Sequence, residues 1–280
     1  MIAATAARAA AIWLESQQHA RGSMVGVPLE NLAAVPAATG TNGRGACAAR
    51  FVIWVAQNAF DAASGVVFDP ASGTHLTAES TATIAGAAHR LFRYDVSHSI
   101  GRNLVRRVDV AGEDLHCVAQ VGVHWLFLGE VEAAGHVATR VVRDAAAATT
   151  VRDLHARALA AVFCRQWALA TRDPAADAAA RSWLDAAVAG VDAVQEPAVI
   201  AAVAWATALV ATGMADKVGA ETRALSVALV GRLKSMQSND GAWRGAGVVE
   251  GQASASTFAS TAWTSYRLAC TSAALAALED

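Results

Sequence analysis

The chain has 280 residues, enough to bury a sizeable core as one large domain. Hydrophobic residues make up 55%, charged residues only 16%, and the formal net charge is −2. Nearly all its cations are Arg, with Lys217 and Lys234 the exceptions, and no basic stripe or basic–aromatic alternation emerges, so nucleic acid is not an expected partner. Much of the apolar excess is Ala, the best helix former, and the five Pro leave long uninterrupted stretches, so helix is favoured almost throughout.

In chain order, the first helix is expected over residues 3–18. It joins the N-terminal segment without a basic stretch, apolar run and cleavage site, so no signal peptide is expected. Residues 21–45 have a loop-like composition, with Pro28, Pro36 and the Gly40-Thr-Asn-Gly-Arg-Gly45 run. That run lacks the Gly-Lys-Ser/Thr and preceding strand of a phosphate loop, and a loop this long in a compact domain is a candidate lid. A helix follows over 46–58, then an irregular stretch over 61–75 closed by Asp69-Pro70 and Ser72-Gly73. Thr77 caps a helix that runs to about residue 92, and a break is expected over 97–107.

The next helices are expected over about 114–131, 134–148 and 151–170. Thr171-Arg-Asp-Pro174 then stops one helix and starts another over 175–188, with Pro174 in a first turn. Glu196-Pro197 opens the last long apolar run, 198–214. Its 17 residues are marginal for a bilayer and rich in Ala and Thr, so a buried inner helix is expected and no integral membrane segment. No alternating Val, Ile and Thr pattern competes with helix. The four Cys (Cys47, Cys117, Cys164, Cys270) have no CxxC spacing and suit reduced thiols, which makes cytoplasmic the expected location.

Two stretches share a cadence. Arg232-Leu-Lys-Ser-Met-Gln-Ser-Asn-Asp-Gly-Ala-Trp243 aligns with Trp13-Leu-Glu-Ser-Gln-Gln-His-Ala-Arg-Gly-Ser-Met24, pairing Gln18 with Gln237, Gly22 with Gly241 and Met24 with Trp243. A second internal likeness pairs the segment from Glu79 to Leu91 with that from Ser256 to Leu268; each has small residues in the middle and an Arg-Leu finish. Repetition of this kind implies one supersecondary unit used several times. The Gln-x-x-x-Gly-x-Trp cadence (Gln237, Gly241, Trp243) resembles the QW repeat of the terpenoid cyclase and protein prenyltransferase superfamily. The resemblance implies an all-α fold, an α/α toroid of about five helical hairpins spanning residues 1–280 as one domain. It also implies that Trp243 packs over a helix end, so that Trp243→Ala costs ~3–5 kcal/mol.

The densest polar cluster is Glu113-Asp114-Leu-His116-Cys117, with His124 and Trp125 further along the same helix. His116, Cys117 and His124 fall near one face, but the rise from His116 to His124 is about 12 Å, too far for one ion. Protein prenyltransferases use an Asp-x-Cys zinc pair, whereas Asp114 and Cys117 are one residue further apart; no metal and no cofactor is therefore expected. Protonating terpenoid cyclases open an inner helix with Asp-x-Asp-Asp, and Asp109-Val-Ala-Gly-Glu113-Asp114 is similar in place but not in letter. Glu79, in a first turn among small and apolar neighbours, is the other candidate acid.

The expectation is that Glu79 is the desolvated, protonated acid and Asp114 an ionised partner; each also suits the positive end of a helix for structural reasons alone. His75 and His98, expected in loops, His116, and Trp125 and Trp263, expected on inner helices, are the candidate substrate-binding residues. His89, His136 and His155 fit ordinary surface or core positions. No Gly-x-Ser-x-Gly elbow anchors a hydrolase triad.

These features suggest a small-molecule cyclase or isomerase, lyase-like and suited to natural-product biosynthesis, that protonates an apolar, isoprenoid-like substrate in a central cavity. Two alternatives stay open. One is a carbohydrate-active α/α-barrel hydrolase or epimerase, favoured by the Asp173-Pro174 joint; the other is a non-catalytic toroid that binds lipid or a partner. The expected partner is a small-molecule substrate, with a homo-oligomer left open.

Overall fold

A computed structural model describes residues 2–24, 26–212, 214, 217–244 and 254–278. Helix accounts for 73% of the chain, and strand among the described residues is confined to β1 (Phe60–Asp61) and β2 (Val66–Val67), an antiparallel pair. The all-α class expected from composition is correct.

The helices are α1 (Ile2–Ser16), α2 (Leu29–Leu32), α3 (Val35–Thr41), α4 (Gly45–Asn58), α5 (Ala78–Arg90), α6 (Tyr94–Arg107) and α7 (Leu115–Leu128). They continue with α8 (Val131–Asp144), α9 (Leu154–Thr171), α10 (Pro174–Val188), α11 (Pro197–Ala211), α12 (Lys217–Met236) and α13 (Ala255–Ala276). Helix α5 packs on α7, α7 on α9, α9 on α11 and α11 on α13; α13 also packs on α3, and α3 on α5. Each of these carries a second helix: α4 on α3, α6 on α5, α8 on α7, α10 on α9, α12 on α11 and α1 on α13. Burial follows this division. Almost every residue of α11 is buried, as a run apolar on all sides requires, and among the described residues no helix is long and apolar enough to cross a membrane.

The two Gln-Gly cadences do the same job. Gln18 Nε2 donates to Gly22 O (3.0 Å) and to Cys47 O in the first turn of α4 (3.0 Å). Gln237 Nε2 donates to Gly241 O (2.8 Å) and to Ala6 O in the second turn of α1 (2.9 Å). Each Gln thus closes its own turn and ties the end of one helix to the start of another. The turn needs positive φ, +97° at Gly22 and +94° at Gly241, and a Cβ there would come within 2.3 Å of Arg50 O or 2.7 Å of Ala9 O. Met24 (4% exposed) and Trp243 (0%) fill the same place, and the Trp243 indole also donates to Leu233 O at 2.8 Å.

Two expectations need correction. Residues 21–45 are not a lid: they hold α2 and α3, with Leu29, Leu32 and Val35 buried. Pro28 caps α2 and Pro36 lies in the first turn of α3, where a missing N–H costs nothing, so both start helices here rather than break them. Buried Asp69 pins the segment by accepting from Leu29 N (2.7 Å), while Ala71 N (2.8 Å) closes its own turn. Residues 97–107 are not a break but the body of α6, because Val96, Ile100 and Leu104 recur at the four-residue helical spacing and bury one face.

Candidate acid–base site at the helix N-termini

The site forms at the N-termini of α5, α7 and α9. Thr77 caps α5, its hydroxyl accepting from Ser80 N (3.3 Å), Asp114 caps α7 through Cys117 N (2.8 Å), and Asp153 caps α9 through His155 N (2.9 Å). These are the residue types whose short oxygens satisfy free N–H groups of a first turn. Two residues after each cap stand Glu79, His116 and His155; the same position of α11, capped by Glu196, is Ala198. The same position on neighbouring helices brings these residues together.

His116 lies between two carboxylates. Its Nε2 is 3.6 Å from Glu79 Oε2, and its Nδ1 is 3.9 Å from Asp153 Oδ2. Its ring also meets the His155 ring, with centroids 4.2 Å apart. Glu79 and His116 keep about a third and a quarter of their side-chain surface (30% and 26%), so they are open to a ligand without standing free in water. His155 is driven strongly toward the neutral form, first by burial and then by the charges of Arg267 and His116; its Nε2 is sealed from solvent and has no hydrogen-bond partner.

Arg267 of α13 completes the cluster. It is 1% exposed, its guanidinium lies 4.7 Å from the Trp263 ring centroid, and its Nη1 donates to Ala198 O at 2.8 Å. Burial pulls its pKa down to about 10, against the longer-range attraction of Glu79 and Glu196, so it remains a cation at neutral pH. Deeper along α7, fully buried His124 has its Nε2 2.9 Å from the Gln120 amide and 3.2 Å from Thr83 Oγ1. Burial, and then the Arg90 charge, lowers its pKa to about 3. Gly86 of α5 makes room for that ring, since a Cβ there would lie 2.6 Å from its Nδ1.

No protein-family model, curated protein or solved structure matches the chain. Roles must therefore come from the geometry of its own residues.

Of the expected site residues, Glu79 and His116 come together, and Trp263 joins them through Arg267. Asp114 is exposed and its carboxylate serves as a cap, so the expected pairing of Asp114 with Glu79 gives way to Asp153 and His116. His75 is exposed, its backbone bridged to Phe68. His98 is not in a loop but exposed on α6, its ring beside those of His89 and Tyr94. Trp125 is buried on α7 but turned the other way, lining an outer cleft of ≈ 820 Å³ with residues such as Val108, Ala133 and Arg140.

Asp153, Gln120 and Arg267 were missed, His155 was read as an ordinary position, and His124 was noted only as part of the α7 polar cluster. The available signal was the tripeptide Asp-Leu-His, which opens both α7 (Asp114-Leu-His116) and α9 (Asp153-Leu-His155). Cys117, on the same α7 face as His116, is buried, and its thiol is pushed up to about 12 by burial first and by Glu113, Glu79 and Asp114 after it. It is a poor source of thiolate. Among the described residues no three His, Cys, Asp or Glu side chains gather as metal ligands.

The loops that carry the caps are held from outside. Arg107 of α6 donates to Leu76 O before α5 (3.2 Å), and Arg140 of α8 donates to Glu113 O (2.7 Å) and Val110 O before α7. Arg232 of α12 does the same before α11, donating to Val191 O (2.9 Å) and Val194 O. Glu30 of α2 accepts from Thr77 N (3.1 Å), Thr77 Oγ1 (2.6 Å) and Ser80 Oγ, fixing the start of α5 where Glu79 projects.

Proposed function

We propose that the closed circuit of α3, α5, α7, α9, α11 and α13, with its second layer of helices, is an α/α toroid of six hairpins. Its chemistry lies at the mouth formed by the inner N-termini. In this reading the protein is an acid–base isomerase or cyclase of an apolar, isoprenoid-like small molecule. The resemblance of Gln237, Gly241 and Trp243 to the QW repeat agrees with that architecture. The observation that carries the reaction is the placement of His116 between Glu79 and Asp153 above an apolar helical interior.

Asp153 near Nδ1 favours the imidazole with its proton there, which leaves Nε2 as the exchanging nitrogen toward Glu79. A proton given from this pair to one carbon of an unsaturated substrate, and one taken back from another carbon, amounts to an isomerisation or ring closure without net redox change. Positioned proton transfer of this kind contributes ~10²–10⁴-fold to rate. Buried Arg267 keeps a fixed positive charge within electrostatic reach of Glu79.

The test is incubation in D₂O with a panel of unsaturated isoprenoid alcohols, acids and diphosphates, analysed by mass spectrometry. The expected result is isomerised or cyclised product with one deuterium on carbon. A parallel set of oligosaccharides serves the competing carbohydrate chemistry; cleavage or epimerisation there, with no label in the apolar set, would overturn the proposal.

A further inference from the structure

Arg267 is a buried cation that pairs with no anion among the described residues. Its Nε is sealed from solvent and has no hydrogen-bond partner, and among the described residues no carboxylate lies within 4 Å of the guanidinium. Glu79 and Glu196 act on it only from farther away. Beside it, His155 Nε2 is likewise sealed and unpartnered. Unpaired buried charge and unpaired buried donors are both unfavourable, and water, an ion or a ligand can supply the missing partner. The bond from Nη1 to Ala198 O and the Trp263 ring against the guanidinium hold the fork in one orientation. Ala198 belongs to the first turn of α11, whose N-terminus adds partial positive charge at the same place.

We propose that Arg267, with His155, binds a carboxylate carried by the substrate, which makes the substrate class an apolar monocarboxylic acid. Placing that carboxylate beside Glu79 and His116 rests on the proton-transfer reading. A planar carboxylate matches the guanidinium fork, and one negative charge matches one cation. Three carboxylates, Glu79, Asp153 and Glu196, surround the cluster. They oppose phosphate or diphosphate, which would bring two or more negative charges to a single Arg. The neutral His155 ring adds a hydrogen bond without adding charge, consistent with a monoanion.

The experiment is isothermal titration calorimetry of the full chain with straight-chain monocarboxylates from butanoate to dodecanoate, with the matching amides, and with inorganic phosphate and diphosphate. At least one carboxylate should bind roughly tenfold or more tighter than its amide, as a charge-assisted pair requires. Arg267→Gln should erase that preference and Arg267→Lys should keep part of it. Equal affinity for acid and amide across the series, tighter binding of diphosphate than of every carboxylate, or an Arg267→Gln variant that still prefers the acid would each overturn the proposal. If Arg267→Gln does not fold, the acid–amide comparison in the wild type decides alone. Carboxylate preference without deuterium incorporation would remove the proton-transfer reading and leave this one standing; incorporation without preference would do the reverse.

Discussion

Helices α7 and α9 open on the same tripeptide, Asp-Leu-His, and put it to different uses. Both Asp residues cap, accepting from Cys117 N at 2.8 Å and from His155 N at 2.9 Å. The cap is a local matter, set by a short oxygen and a free N–H. What differs is the neighbour on the preceding helix. Before α7 stands α5, which offers Glu79 to His116; before α9 stands α7, which offers His116 itself. Asp153 therefore has an imidazole near its second oxygen, whereas the Asp114 carboxylate stays exposed. Ten residues past the caps the helices diverge again, with buried His124 on α7 and buried Phe163 on α9. The same tripeptide makes an Asp cap on both helices, through the third N–H on α7 and the second on α9, and the order of helices assigns the chemistry.

The contrast can be broken at several points. His116→Gln should lower turnover ~10²–10⁴-fold, measured by deuterium incorporation, with little change in melting temperature because the ring is partly exposed. His124 should make the α7 side acid-sensitive. Its folded pKa, about 3, lies below the unfolded value of 6.5, so the unfolded state binds the proton first as pH falls. Stability is then complete above pH ~6.5 and declines toward pH ~3 by up to a few kcal/mol, on the order of 1.4 kcal/mol per pH unit. Urea denaturation at stepped pH should show this slope, and His124→Leu should flatten it.

The smallest effects belong to the caps. Asp114→Ala and Asp153→Ala should each cost ~1 kcal/mol in urea midpoints, and Asn at either position should restore most of it. Only Asp153→Asn should also slow turnover, by roughly tenfold, since Asn caps but cannot balance the charge on His116.

Much of this was open to inspection in the chain. Thr77, Asp114 and the Asp173-Pro174 joint declare helix starts by chemistry that acts within three residues, and all three begin helices where expected. Gln237 and Gly241 declared their turn in the same way. The face a residue takes was harder to see. Helix α7 is apolar nearly all round, so periodicity cannot say which side Trp125 occupies, and it faces an outer cleft. The Arg-Leu ends of the two aligned segments match in sequence, yet Arg90 is exposed between the Phe127 and Tyr266 rings while Arg267 is buried over Trp263. Arg90 ends α5, whereas α13 runs on to Ala276 past Arg267. Glu79 was found because a first-turn carboxylate among small residues is conspicuous; Asp153 was not, because its second partner lies on another helix.

The measurement that bears most directly on the account compares Glu79→Gln with Asp114→Asn in the same deuterium-incorporation assay, with equal folding verified by circular dichroism. Both replace a carboxylate near the start of an inner helix by its amide. Glu79→Gln should fall to background while Asp114→Asn keeps the wild-type rate. Loss of labelling in Asp114→Asn, or wild-type labelling in Glu79→Gln, would contradict the assignment of proton transfer to Glu79 and His116.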